Sequence, residues 1–128
     1  MRVLIVEPGK APYAKDIDPG LRFMQEVVGG LIQAVYPFEE PVALICNEEG
    51  KLMNLPLNRV LREPSSGQIY DVVAGTFFLC AAPPDSQNFE SLTEEQIHHY
   101  SGVYAVPEAF CHSHGRLLVF EREEKTHV

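Results

Sequence analysis

The stretch that decides the fold is YDVVAGTFFLCAA, residues 70–82. It is apolar almost without a break and rich in β-branched and aromatic residues, the composition of a central strand covered on both faces. Gly75 interrupts it, which implies a bulge or the close approach of a neighbouring backbone. PPDSQN, immediately after, breaks the strand.

Working outward from this strand, RVLIV reads as a second buried strand, EPGKAP as a turn and YAKDI as the return of a hairpin. Asp18 then stands where a helix N-cap would, with Pro19 at the first helical position. Leu21, Met24, Val28, Leu31 and Val35 recur at helical spacing, Val27 and Ile32 widen the stripe, and Pro37 stops it. Gly29 and Gly30 fall inside this pattern, where each glycine costs about 1 kcal/mol relative to alanine. The expected compensation is tight packing of the helix backbone against the sheet, near Gly75.

PVALICNEEGKLM, residues 41–53, reads as a hairpin with the Glu48–Lys51 segment at its tip. A second helix is announced by a capping box, Thr93 with Gln96, and by Leu92 placed to staple onto Ile97. Ile97, Tyr100 and Tyr104 form its inward stripe, and Gly102 and Pro107 close it. AFCHSHGRLLVF gives two further strands about a His114-Gly115 turn. The sum is an α+β fold: a mixed, mostly antiparallel sheet with two main helices on one side, in a single domain over residues 1–122, followed by a frayed tail, 123–128.

Composition narrows the functional classes. The 128 residues suit one domain, and 45% hydrophobic with 22% charged residues is ordinary for a globular chain. Neither a signal-peptide core nor a membrane span is present in the sequence. Cys46, Cys80 and Cys111 each end an apolar run, which predicts buried, reduced thiols and a cytoplasmic setting. The net charge is −8, and no Lys or Arg occurs between Glu63 and Gly115. Such a balance repels phosphate backbones, so direct nucleic-acid binding is disfavoured, while an acidic face could meet a basic partner.

Candidate chemistry is sparse. His98, His99, Cys111, His112 and His114 lack the paired spacing of a zinc site, so no metal and no cofactor are expected. No serine sits in a G-x-S-x-G elbow, and adjacent Glu48 and Glu49 point to opposite faces of an extended strand. The reading therefore leans away from an enzyme. The one ligand-facing piece is LPLNR, residues 55–59. Pro56 cannot donate to a ladder, so Asn58 and Arg59 would project from irregular backbone and read a phosphate or carboxylate, with Lys51 adding a second cation. In the competing structural reading Arg59 pairs with Glu48 or Glu49.

Three segments in order, VEPGKAPYAKDID, MQEVVGGLIQAVYPFEEPVALICNEEGKL with the following LPLNR, and IYDVVAGTFFLC, resemble the domain of unknown function 3846. The resemblance covers roughly Met1 to Phe110. It implies no established activity; it implies a setting among bacteria, their phages and conjugative elements, beside antirestriction-type neighbours. Three functions follow as expectations. The first is a non-enzymatic interaction module with a host or element-encoded partner, the second a binder of an anionic metabolite or nucleotide at Lys51, Asn58 and Arg59. The third is an acidic DNA mimic. A homodimer is a further expectation.

Overall fold

The computed structural model describes residues 1–120. The chain runs β1 (Arg2–Val6), β2 (Tyr13–Asp16), α1 (Leu21–Val28), β3 (Ile32–Val35), β4 (Val42–Asn47), β5 (Leu57–Arg62), β6 (Ile69–Ala74), β7 (Phe77–Ala81), α2 (Glu94–Val103), β8 (Ala109–Ser113) and β9 (Arg116–Phe120). Five strands form one sheet in the order β2-β1-β7-β4-β3, and β5-β6 and β8-β9 form two separate ribbons. All pairings are antiparallel. The architecture is α+β, as the sequence indicates. The 123–128 tail lies outside the described residues.

Period-two alternation divides the core between the two faces of the five-stranded sheet. Val3 and Ile5 share one face with Ala43, Ile45, Phe78 and Cys80, beneath Met24 and Val28 of α1. Leu4 and Val6 share the other with Leu44, Phe77 and Leu79, beneath Ile97 and Tyr100 of α2 and Leu61 and Val73 of the β5-β6 ribbon. The helices therefore sit on opposite sides of the sheet, not on one side. Neither face could be left open, since the sheet's central strands are apolar on both.

Three sequence expectations change. The 70–82 run is two strands in two sheets, parted at Gly75, whose φ is +85°. The Gly75 N–H donates to the Pro56 carbonyl (2.7 Å), and a Cβ built there would lie 2.7 Å from Leu55 Cδ1. The chain turns here because only glycine fits.

The first helix stops at Val28, and the supposed continuation, Ile32–Val35, is β3. Gly29 is its left-handed cap (φ +80°), exposed, and a Cβ added there would meet nothing within 4 Å. Its N–H donates to the Gln25 carbonyl at 2.8 Å, closing the last turn. Gly30 does meet a neighbour: a Cβ there would lie 2.9 Å from Asn47 Nδ2 on β4. Asp18 lies two residues before the N-cap, accepting from Gly20 N–H, and Gly20 itself occupies the cap.

The strand after Cys46 has no hairpin return. Strand β4 is flanked on both sides, by β3 and β7, so the segment from Glu48 to Asn54 coils into a compact turn instead. Met53 N–H donates to Glu49 O (2.9 Å) and Leu55 N–H to Gly50 O (3.0 Å). Asn47 organises this turn: its Oδ1 accepts from Glu49 N–H and its Nδ2 donates to Val28 O. The capping box of α2 forms as read, with Gln96 N–H donating to Thr93 Oγ1 and Thr93 N–H to Gln96 Oε1.

Candidate functional site

Asn58 and Arg59 lie inside the protein, each 1% exposed, on strand β5, whose pairing with β6 shifts register between Leu57 and Arg59. The backbone is irregular at Asn58, but it turns the side chains inward and not out to solvent. Pro56 ends no strand begun at Lys51; it precedes one. Asn58 Nδ2 donates to Val6 O (2.8 Å) and Gly75 O (2.9 Å), so this carboxamide joins β5 to the ends of β1 and β6. Arg59 donates through Nη1 to Asn58 Oδ1 (2.9 Å) and through Nη2 to Lys10 O (2.6 Å) and Tyr104 O (2.9 Å). Its ion-pair partner is Glu108, at 3.9 Å from Nε, and neither Glu48 nor Glu49. Burial lowers the Arg59 pKa, opposed by the charges of Glu108 and Tyr104. The guanidinium is a clasp tying β5 to the turn after β1 and to the end of α2.

Lys51 is elsewhere. It leaves the turn after β4 and meets Asp71 of β6, Nζ to Oδ1 2.5 Å, with both side chains about half exposed. The three anion-site residues of the sequence reading do not converge on one cavity, because Asn58 and Arg59 are buried against backbone carbonyls while Lys51 stays at the surface. Cys46 and Cys80 are buried thiols, whereas Cys111 is exposed: on a two-stranded ribbon an apolar neighbourhood in sequence does not guarantee cover. His114 (φ +50°) and Gly115 (φ +76°) form the two-residue turn of β8-β9, as expected.

A groove that sequence reasoning missed runs between α2, the 37–40 segment and the start of the 60–64 segment, enclosing about 890 Å³. Its wall is aromatic. The Phe38 ring lies 4.6 Å from Tyr100 and 6.5 Å from Tyr104, centroid to centroid, and His99 stands 4.8 Å from Tyr100. Its lining includes five carboxylates, Glu39, Glu40, Glu63, Glu95 and Glu108, with Arg62 among them. Tyr100 donates its hydroxyl to Glu40 in a short hydrogen bond. Burial first, then that bond and the Glu40 charge, hold the Tyr100 phenol well above its ordinary range. Burial, reinforced by Glu108, does the same for Tyr104. Both phenols stay protonated at neutral pH, so the groove's charge comes from its five carboxylates and Arg62, an acidic balance. The one signal in the sequence was the basic-free interval from Glu63 to Gly115.

The family described as a domain of unknown function, DUF3846, matches residues 1–105. The chain belongs to this DUF3846 family. Nothing matches it among curated proteins or among solved structures. The match spans the five-stranded sheet, both helices and the β5-β6 ribbon, and stops before Glu108 and the β8-β9 ribbon. Most of the acidic groove, but not its Glu108 end, thus lies within the DUF3846 region. No helix among the described residues is long and apolar enough to cross a membrane.

Proposed function

We propose that this DUF3846 protein is a non-enzymatic interaction module whose groove receives a basic segment of a partner protein, host-derived or encoded by a mobile element. The observation that carries the reading is the pairing of an aromatic wall with carboxylates in one concave surface. An ammonium or guanidinium is attracted both to an aromatic face and to a carboxylate, and gains more from each where water is partly excluded. Glu108 already answers Arg59 and Glu40 already accepts from Tyr100, so Glu39, Glu63 and Glu95 supply the remaining negative charge. A basic ligand is favoured over an anionic metabolite because Asn58 and Arg59, the residues an anion would need, donate inward to backbone carbonyls.

The test is a titration of the intact protein into a fluorescein-labelled nona-arginine peptide, followed by anisotropy. Binding should weaken about tenfold from low to physiological salt as exposed charges are screened. Glu39→Gln with Glu95→Gln should weaken it several-fold further at fixed salt. Equal affinity for the double variant and the native protein would place the basic ligand elsewhere and overturn the reading.

A further inference from the structure

We infer that the outer edge of β3 receives an extended, uncharged partner strand bracketed by basic residues. Strand β3 is an edge strand of the five-stranded sheet, and no described strand pairs with its outer side. The Glu48 N–H donates to the Leu31 carbonyl at 2.8 Å. In the alternation of an antiparallel ladder this turns the N–H and C=O of Ile32 and Ala34 away from β4. The edge is unguarded: Leu31–Tyr36 contains no charge and no proline, and its two ends, Leu31 and Tyr36, are 54% and 63% exposed. The opposite edge, β2, carries Lys15 and Asp16, the usual protection against unwanted pairing. Ile32 and Ala34 pack partly against one core face and Val35 against the other, which holds the β3 edge onto the sheet.

Charge chooses the occupant. Glu48 and Glu49 adjoin the Leu31 end of the edge, and Glu39 and Glu40 follow its Tyr36 end. A second copy paired antiparallel would set the first pair of glutamates against the other copy's second pair. A parallel copy would set each pair against itself. Both arrangements are repulsive, so a strand from a different molecule is favoured, about six residues long with Lys or Arg at each end. This goes beyond the groove and shares with it the partner's charge and the Glu39–Glu40 pair.

The probe is a fluorescein-labelled peptide, Lys-Val-Thr-Val-Thr-Val-Lys, titrated with the intact protein. Binding should fall at least about tenfold when alternate peptide nitrogens are methylated, which removes ladder donors and leaves the charge unchanged. Ala34→Pro, which removes an outward N–H from an edge strand, should cause a similar loss with an unchanged circular dichroism spectrum. Replacing both peptide lysines by serine should also weaken binding. Indifference to N-methylation, or no binding of the parent peptide, overturns the inference. So does a dimer that Ala34→Pro abolishes, since the edge would then serve a second copy. Failure of the groove reading would show differently, as nona-arginine binding that ignores Glu39 and Glu95.

Discussion

At the scale of single residues, the residue that most resembled a binding group is a structural one. Arg59 could be picked out from the sequence, but its direction could not, because Pro56 suggested an irregular exit where the chain in fact begins strand β5. A charge this deep is held by three carbonyls, the Asn58 side chain and Glu108. Removing one partner of a buried pair leaves the other uncompensated, at about 3–5 kcal/mol. Arg59→Met should therefore lower the unfolding free energy by roughly that amount in urea, while Lys51→Met, at an exposed pair, should change it by less than about 1 kcal/mol. Equal effects would refute the clasp.

The glycines were legible as anomalies but not in their cause. Placing Gly29 and Gly30 in a helix interior created a loss of stability that needed compensation; ending the helix at Val28 removes the loss altogether. The glycine with the least room was not singled out at all. A Cβ on Gly50 would lie 2.6 Å from the Ala74 carbonyl oxygen, a backbone atom that cannot move aside. Gly50→Ala should destabilise the protein by about 1–3 kcal/mol through overpacking. Gly29→Ala, in open space but left-handed, should cost about 1 kcal/mol. Urea denaturation of the two variants checks the order, and Gly29→Ala proving the worse would contradict it.

At the scale of elements, what could be read was what local chemistry dictates. The capping box of α2, the β1-β2 hairpin and the His114-Gly115 turn each depend on neighbours in sequence, and each formed. What could not be read depends on distant partners. A helical spacing from Leu21 to Val35 and a helix followed by an edge strand put apolar residues at the same positions, and only β4 alongside decides between them. The 70–82 run likewise looks continuous until Asn58, 17 residues earlier in the chain, donates its Nδ2 to Gly75 O.

The buried strand β7 and helix α2 also set the alkaline behaviour. Burial pushes the Cys80 thiol from an ordinary 9.0 up to about 12, and Tyr100 and Tyr104 shift upward as well. These groups bind their protons more tightly folded than unfolded. Their contribution to stability is complete below the unfolded values and is lost as pH climbs through the window from about 9 to about 12 for the thiol. The melting temperature should thus fall steadily above about pH 9. Cys80→Ser should shallow that slope, and an unchanged slope would point to other groups.

At the scale of the whole molecule, the acidic balance was the sequence's best functional clue, and folding gives it a location. The basic-free interval contributes α2 and the 108 position, and the 37–40 segment and the 60–64 segment close the other side. No stretch of sequence shows that Phe38 faces Tyr100, because 62 residues separate them along the chain (100 minus 38). The central claim, that this groove receives a basic partner, is tested most directly by amide hydrogen exchange of the intact protein with and without saturating nona-arginine. Protection should concentrate in residues 37–40 and 93–104, with the β8-β9 ribbon unaffected. Protection confined to β8-β9, or spread evenly over the surface, would contradict it.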